Sequence, residues 1–198
     1  MYGNFIILCY NRTIEGCMEN RIKFMVKKYC FKNKIHDFDE INKMQNDILF
    51  KYNNNQYNFE DKISYKLYTS NKKRKLALIE DGSVECFVVK VLNKIVQNKI
   101  KPKFKSRNQI IIELFDNLKL LHNFKDFTIV RFDFKNYFDS ISSEYVFNKS
   151  LVNYNFSKTE FDLLKQYIKS MPYCKAGMPL SNIFAEEMGV FLMKKLNY

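Results

Sequence analysis

The sequence predicts a helix-rich α+β protein with a short antiparallel sheet, and three observations carry that expectation. Several stretches repeat apolar residues at steps of three and four, the spacing of amphipathic helices. The run at 127–132 (FTIVRF) is instead β-branched and aromatic, the composition of a buried central strand. The 198 residues, 46% hydrophobic and 16% aromatic, suffice for one sizeable core and a smaller lobe, which excludes a disordered chain.

Residues 1–58 read as an N-terminal helical extension. Met18, Ile22, Met25, Val26 and Tyr29 share one helical face, and Ile41, Met44, Ile48, Leu49 and Tyr52 repeat the pattern, so two amphipathic helices are expected. The polar tract 51–58 (KYNNNQYN) suits a loop or linker. His36 lies beside Asp37 and Asp39, but no further ligand has usable spacing, so it reads as a solvated histidine near a helix start.

A second, basic region spans 59–126. Lys72, Lys73, Arg74 and Lys75 precede an apolar run at 76–79, and Asp81-Gly82 is a hairpin signal. Val84, Phe87, Val88, Val91, Leu92, Ile95 and Val96 predict a firm helix. Lys90 and Lys94, one turn apart on it, either grip a nucleic-acid backbone or simply solvate the helix. Phe104, inside the basic stretch 99–107 (KIKPKFKSR), is placed to stack on a base of single-stranded nucleic acid. A helix over 110–121 is expected to bury Leu114, Phe115, Leu118 and Leu121.

With 33 Lys and Arg against 21 Asp and Glu, the formal charge is +12. Such a molecule attracts polyanions in a salt-dependent way. An AT-rich genome supplies the same excess of Lys, Asn and Ile, so charge permits nucleic-acid binding without selecting it. The five cysteines form no CxxC pair and cannot all pair with one another, which fits a reducing cytoplasm better than a disulfide scaffold. The apolar stretch at 5–10 has no basic leader before it and is far shorter than the roughly 20 residues of a membrane span, so a cytoplasmic protein without membrane contact is expected.

The third region, 127–198, holds the candidate chemistry. Asp133 stands where the apolar strand should end, and an unpaired carboxylate buried there would cost several kcal/mol. Its partner is either a neighbouring Lys or Arg, or a divalent cation carrying nucleotide phosphates. Asp139, further along, has a turn cap or a salt bridge as its default role. Ser157 and Glu160 form a capping-box pattern, and the helix it opens (Phe161, Leu164, Tyr167, Ile168, Met171) is stopped by Pro172. The segment 173–185 (YCKAGMPLSNIFA) then starts another helix. Gly177 allows close backbone approach there, and Ser181 can donate a hydrogen bond from the first turn.

Residues 133–141 (DFKNYFDSI) resemble motif A of reverse transcriptases, and 173–186 resemble their motif B, in the bacterial branch of group II intron, retron and abortive-infection enzymes. The resemblance covers 127–198 well and 72–107 loosely. It implies the fingers and the N-terminal half of the palm of a right-hand polymerase. Asp133 would be the catalytic metal ligand, for Mg²⁺ or Mn²⁺, helped by the backbone carbonyl of Phe134. Lys135 and Asn136 would offer N–H groups to the triphosphate, Phe138 would block the ribose 2′-OH, and Arg74 or Lys73 would hold the triphosphate from the fingers. Gly177 and Ser181 would shape the nascent base pair. Ala176 departs from the family, which often has Gln before the glycine.

The implied activity is RNA-directed DNA synthesis on an RNA or DNA template-primer with dNTPs, in a setting such as phage defence. Two-metal phosphoryl transfer needs a second carboxylate motif, Tyr-x-Asp-Asp, which does not occur before Tyr198. The 198-residue polypeptide is therefore expected to be an inactive N-terminal fragment on its own. The rival expectation is a non-catalytic nucleic-acid-binding module built on the same half-fold.

Overall fold

The computed structural model describes residues 18–68, 74–100, 107–124, 126 and 135–196. Helices dominate, and the described sheet is a single antiparallel pair of strands. The run 127–132, expected to be a palm strand, lies outside the described residues, as does Phe104.

Helices α1 (Met18–Lys32) and α2 (Phe38–Asn53) are the two expected amphipathic helices. α1 buries Met18, Ile22, Val26 and Cys30, one residue per turn, and α2 buries Ile41, Ile48 and Leu49. Asp37 caps α2 by accepting the Asp39 N–H at 3.0 Å. The tract at 51–58 is only partly loop, because α2 continues through Asn53 before Asn54 closes it on the Phe50 carbonyl. His36 is exposed, tilted against Phe31 with ring centres 5.8 Å apart.

Strands β1 (Ile63–Tyr68) and β2 (Arg74–Ile79) pair in register from Ile63 opposite Ile79 to Tyr68 opposite Arg74. The Asp81-Gly82 pair does not join them. It follows β2 and turns the chain into α3 (Val84–Ile100), with Gly82 at φ 84° and Ser83 Oγ accepting the Cys86 N–H at 3.1 Å. The dipeptide reports a sharp turn, but the residues after it have helical rather than alternating periodicity, so a helix follows instead of a strand. A side chain at Gly82 would also meet the Tyr29 hydroxyl at 2.9 Å.

α3 is the central helix. Phe87, Val88, Val89, Leu92 and Val96 are all completely buried, and α1, α2, α6 and α7 pack around it. Even its acidic residue is buried: Glu85 accepts the Asn58 N–H at 2.9 Å and so ties down the link between α2 and β1. α4 (Arg107–Leu121) departs from expectation, since Leu114 and Phe115 are 53% and 60% exposed and Leu118 and Leu121 are half-buried. Periodicity shows which face could be buried, not whether a partner lies against it.

The short α5 (Ser143–Lys149) starts at Ser142, whose Oγ accepts the Tyr145 N–H. α6 (Lys158–Ser170) carries the full reciprocal capping box between Ser157 and Glu160. Glu160 does more than cap: Arg21 from α1 reaches it at 3.3 Å and Lys99 from α3 at 3.5 Å. α7 (Pro179–Leu196) completes the described chain, and its buried residues join the same core as those of α1 and α3. Among the described residues no helix is long and apolar enough to cross a membrane.

Truncation at the centre and a polar swap at the rim should therefore separate widely. Phe87→Ala should cost about 3–5 kcal/mol, through lost burial and a residual cavity. Leu114→Gln should change stability by less than about 0.5 kcal/mol. Urea unfolding midpoints of the two variants check this contrast.

Candidate functional site

The site begins with a glycine in a left-handed backbone conformation that side chains rarely adopt. Gly177 has φ 98°, and a Cβ there would lie 2.5 Å from the carbonyl oxygen of Ala77 in β2. Beside it the Ala77 N–H donates to the Ala176 carbonyl at 2.8 Å. Turn and strand thus touch backbone to backbone, which requires a hydrogen for a side chain on one side and a small residue on the other. Ala176 takes part through its carbonyl, so that contact does not depend on the side chain in which it departs from the family pattern.

Ser181 closes the same turn from within α7. It is 1% exposed, and its Oγ accepts the Lys175 N–H at 2.9 Å. The sequence suggested a donor; the hydroxyl also accepts, from a loop N–H that would otherwise be unsatisfied, and it lies within hydrogen-bonding range of the Cys174 thiol. Met178, Leu180 and Phe184 are fully buried next to it and fix the start of α7.

The loop that follows Asp133 and Phe134 in sequence is seated on this turn. Tyr137 donates its hydroxyl proton to the Ala185 carbonyl at 2.8 Å. Asp139 pairs with Lys175 at 2.7 Å, which realises the salt bridge expected of it. The Cys174 N–H donates to the Ile141 carbonyl, the Ser143 N–H to the Pro172 carbonyl, and Ser142 bridges Tyr173 in antiparallel fashion. Asn136 adopts φ 54°, a left-handed conformation that asparagine tolerates, and its carbonyl accepts from the N–H and the hydroxyl of Ser140. Phe138 is half-buried, edge-on to Tyr137 at 6.2 Å, while Lys135 and Asn136 are exposed.

Of the residues singled out from the sequence, Lys135, Asn136, Phe138, Gly177 and Ser181 therefore belong to one connected region. Arg74 opens β2, three residues (~10 Å of strand) from the Ala77 contact. Asp133, Phe134 and Lys73 lie outside the described residues. Lys90 is engaged with Asp81 at 2.9 Å, and Lys94 is exposed.

Several participants had no individual signal. Ala77 is an inconspicuous small residue in an apolar run, and Tyr137 and Lys175 became site residues only through partners 48 and 36 positions away.

Beneath the turn sits a layer of buried polar groups. Burial pushes the Cys174 thiol up to about 11, with Ser143 and Ser181 opposing the shift. Burial also raises Tyr167, which packs edge-on to Phe59 at 5.8 Å. Tyr137 is raised by burial first and then by the sulfur of Cys174. Among the described residues no group of three His, Cys, Asp or Glu side chains is placed to hold a metal ion. Asp139, a described carboxylate of this loop, is paired with Lys175.

Compared with known proteins, the chain matches no family model, no curated protein and no solved structure.

Gly177→Ala should force the turn off β2 and cost on the order of 1–3 kcal/mol, the range for a strained backbone, read as a lower urea midpoint. Alkaline pH should weaken the same region. The folded state holds the Cys174 proton up to about 11, whereas the unfolded thiol releases it near 9. The unfolded state thus binds fewer protons in that interval, and stability falls as pH rises through it. Urea midpoints compared at pH 8 and pH 10.5 should show a smaller drop in Cys174→Ala than in the unaltered protein.

Proposed function

We propose that this chain carries the nucleotide-binding half of a reverse-transcriptase-like polymerase, with dNTPs and an RNA or DNA template-primer as its substrates. The observation that supports this reading is the meeting of three sequence-distant segments. The loop after Asp133 hydrogen-bonds the segment before α7, and the Gly177 turn of that segment lies against β2. A nucleotide site of this kind needs such a meeting, because triphosphate, sugar and base must be held from different sides in one geometry.

In this reading Arg74 and Lys73 hold the triphosphate from the hairpin side. The exposed backbone around Lys135 and Asn136 offers N–H donors to the phosphates, as successive amides near a left-handed residue do for anions. Phe138, held edge-on by Tyr137, sets its ring against the sugar and admits deoxyribose. The Gly177 turn leaves backbone at the surface where a base pair can approach, and Ser181 keeps the turn in that shape. A bound Mg²⁺ or Mn²⁺ would supply charge neutralisation of the triphosphate, with Asp133 and the Phe134 carbonyl as its protein ligands.

A second reading, a nucleic-acid-binding module without chemistry, is supported by the net charge of +12, which attracts polyanions whether or not a metal is held. The two readings differ in what Asp133 does. Under the polymerase reading, binding of a dNTP measured by calorimetry requires Mg²⁺, and Asp133→Ala weakens it about tenfold or more, equivalent to ~1.4 kcal/mol. Binding of single strands that ignores both Mg²⁺ and Asp133→Ala, with no dNTP affinity, would establish the module instead.

A further inference from the structure

α1 has two stripes. Met18, Ile22, Val26 and Cys30 enter the core, while Lys23, Lys27 and Phe31 follow a neighbouring stripe at the same four-residue spacing. That second stripe lines an open cavity of about 340 Å³, whose walls also include Phe24, His36, Phe38 and Gln45. Two of its walls are phenylalanines left facing water, Phe31 at 50% and Phe38 at 70% exposure. Exposed apolar side chains are common on this protein, and what sets these two apart is that they border the same cavity.

The polar lining specifies the occupant. Lys23 and Lys27 contribute the formal charge of the walls, no carboxylate lines the cavity, and neither lysine is in an ion pair among the described residues. Lys27 lies over the Phe31 ring, 5.9 Å from its centre, and His36 is tilted against the same ring at 5.8 Å, so Phe38 is the more open of the two. The nearby Asp37 carboxylate is occupied in capping α2. Gln45 donates to the Lys23 carbonyl at 2.9 Å, which orients its amide at the cavity wall.

Partly exposed rings, flanked by cations and bordered by an amide, match an unpaired base with its phosphates: stacking on the rings, charge on the lysines. A membrane surface would want a broad apolar face, and an acidic peptide would leave the rings without a planar partner. We infer that the cavity between α1 and α2 is a stacking site for single-stranded nucleic acid, with Phe31 and Phe38 as base platforms and Lys23 and Lys27 as phosphate contacts. This site is separate from the Gly177 region and stands independently of the activity proposed there.

The test uses the whole 198-residue chain with fluorescent 12-mers of oligo(U) and oligo(dT), alongside an abasic 12-mer and a poly-glutamate peptide as competitors. Phe31→Ala/Phe38→Ala should weaken oligonucleotide binding roughly 5- to 150-fold, the range for losing one stacked base. Both rings are exposed, so circular dichroism and the thermal midpoint should stay unchanged. Lys23→Gln/Lys27→Gln should lower the slope of log affinity against log salt by about 1.4, for two phosphate contacts on a single strand. A 4-thiouridine substituted oligomer should crosslink within α1 or the start of α2.

Unchanged affinity in the double phenylalanine variant, crosslinks confined to other regions, or equal competition by the abasic strand or poly-glutamate would each overturn the inference. Loss of Mg²⁺-dependent dNTP binding in Asp133→Ala bears on the other site and leaves this one untouched.

Discussion

The contact between the Gly177 turn and β2 is the constraint from which the remaining placement follows. A strand amide, at Ala77, is satisfied by a loop carbonyl, at Ala176, while the neighbouring Gly177 leaves no room for a side chain. Moving the turn outward would strand a buried backbone donor, and adding atoms to it would push the strand away. The hairpin is thereby fixed to the entry of α7, and α7 in turn packs on α3. With that seat in place the loop of Tyr137 to Ile141 has somewhere to lie, because its partners Ala185, Lys175 and Cys174 belong to the same segment as the glycine.

A second tie joins the N-terminal helices to the rest. Glu160 caps α6 and receives Arg21 and Lys99 while being 9% exposed, so three elements depend on one carboxylate. Removing the Glu160 carboxylate would leave two cations without their partner and the Ser157 N–H without its acceptor, a larger loss than a surface ion pair represents. The link between α2 and β1 is secured in a similar way by Glu85, and Tyr57 reaches Gln166 across the same junction. α1 and α2 thus share the core of α3 instead of lying beside it, which leaves their second stripes free to form the open cavity lined by Phe31 and Phe38.

How much could be read from sequence depended on the range of the interaction involved. The helical faces of α1, α2 and α3 follow from spacing, since burial at every third or fourth position has few other solutions. The capping box at Ser157 and Glu160 is equally local. Asp81-Gly82 announced a turn correctly and misled about its connection, because the same dipeptide serves a hairpin or a strand-to-helix corner. Ser181 was recognised as a polar residue of the first turn of α7, but its acceptor role depended on the Lys175 amide folding back over it. In α4 the apolar spacing is sound, yet Leu114 and Phe115 face solvent.

By itself the sequence determined which stretches are helical over most of their length, which of their faces are apolar, where α6 is capped and stopped, and which residue types a nucleotide site would need. Those properties are set by neighbours within a few positions, through steric limits on φ and the period of the helix. Only the tertiary structure decided that Ala77 meets Gly177, that Lys175 neutralises Asp139, and that Phe31 and Phe38 border a cavity while Phe87 fills the core. Each of these rests on atoms brought together from distant parts of the chain, and close packing selects among such pairings by shape and by the satisfaction of polar groups, neither of which a local pattern contains.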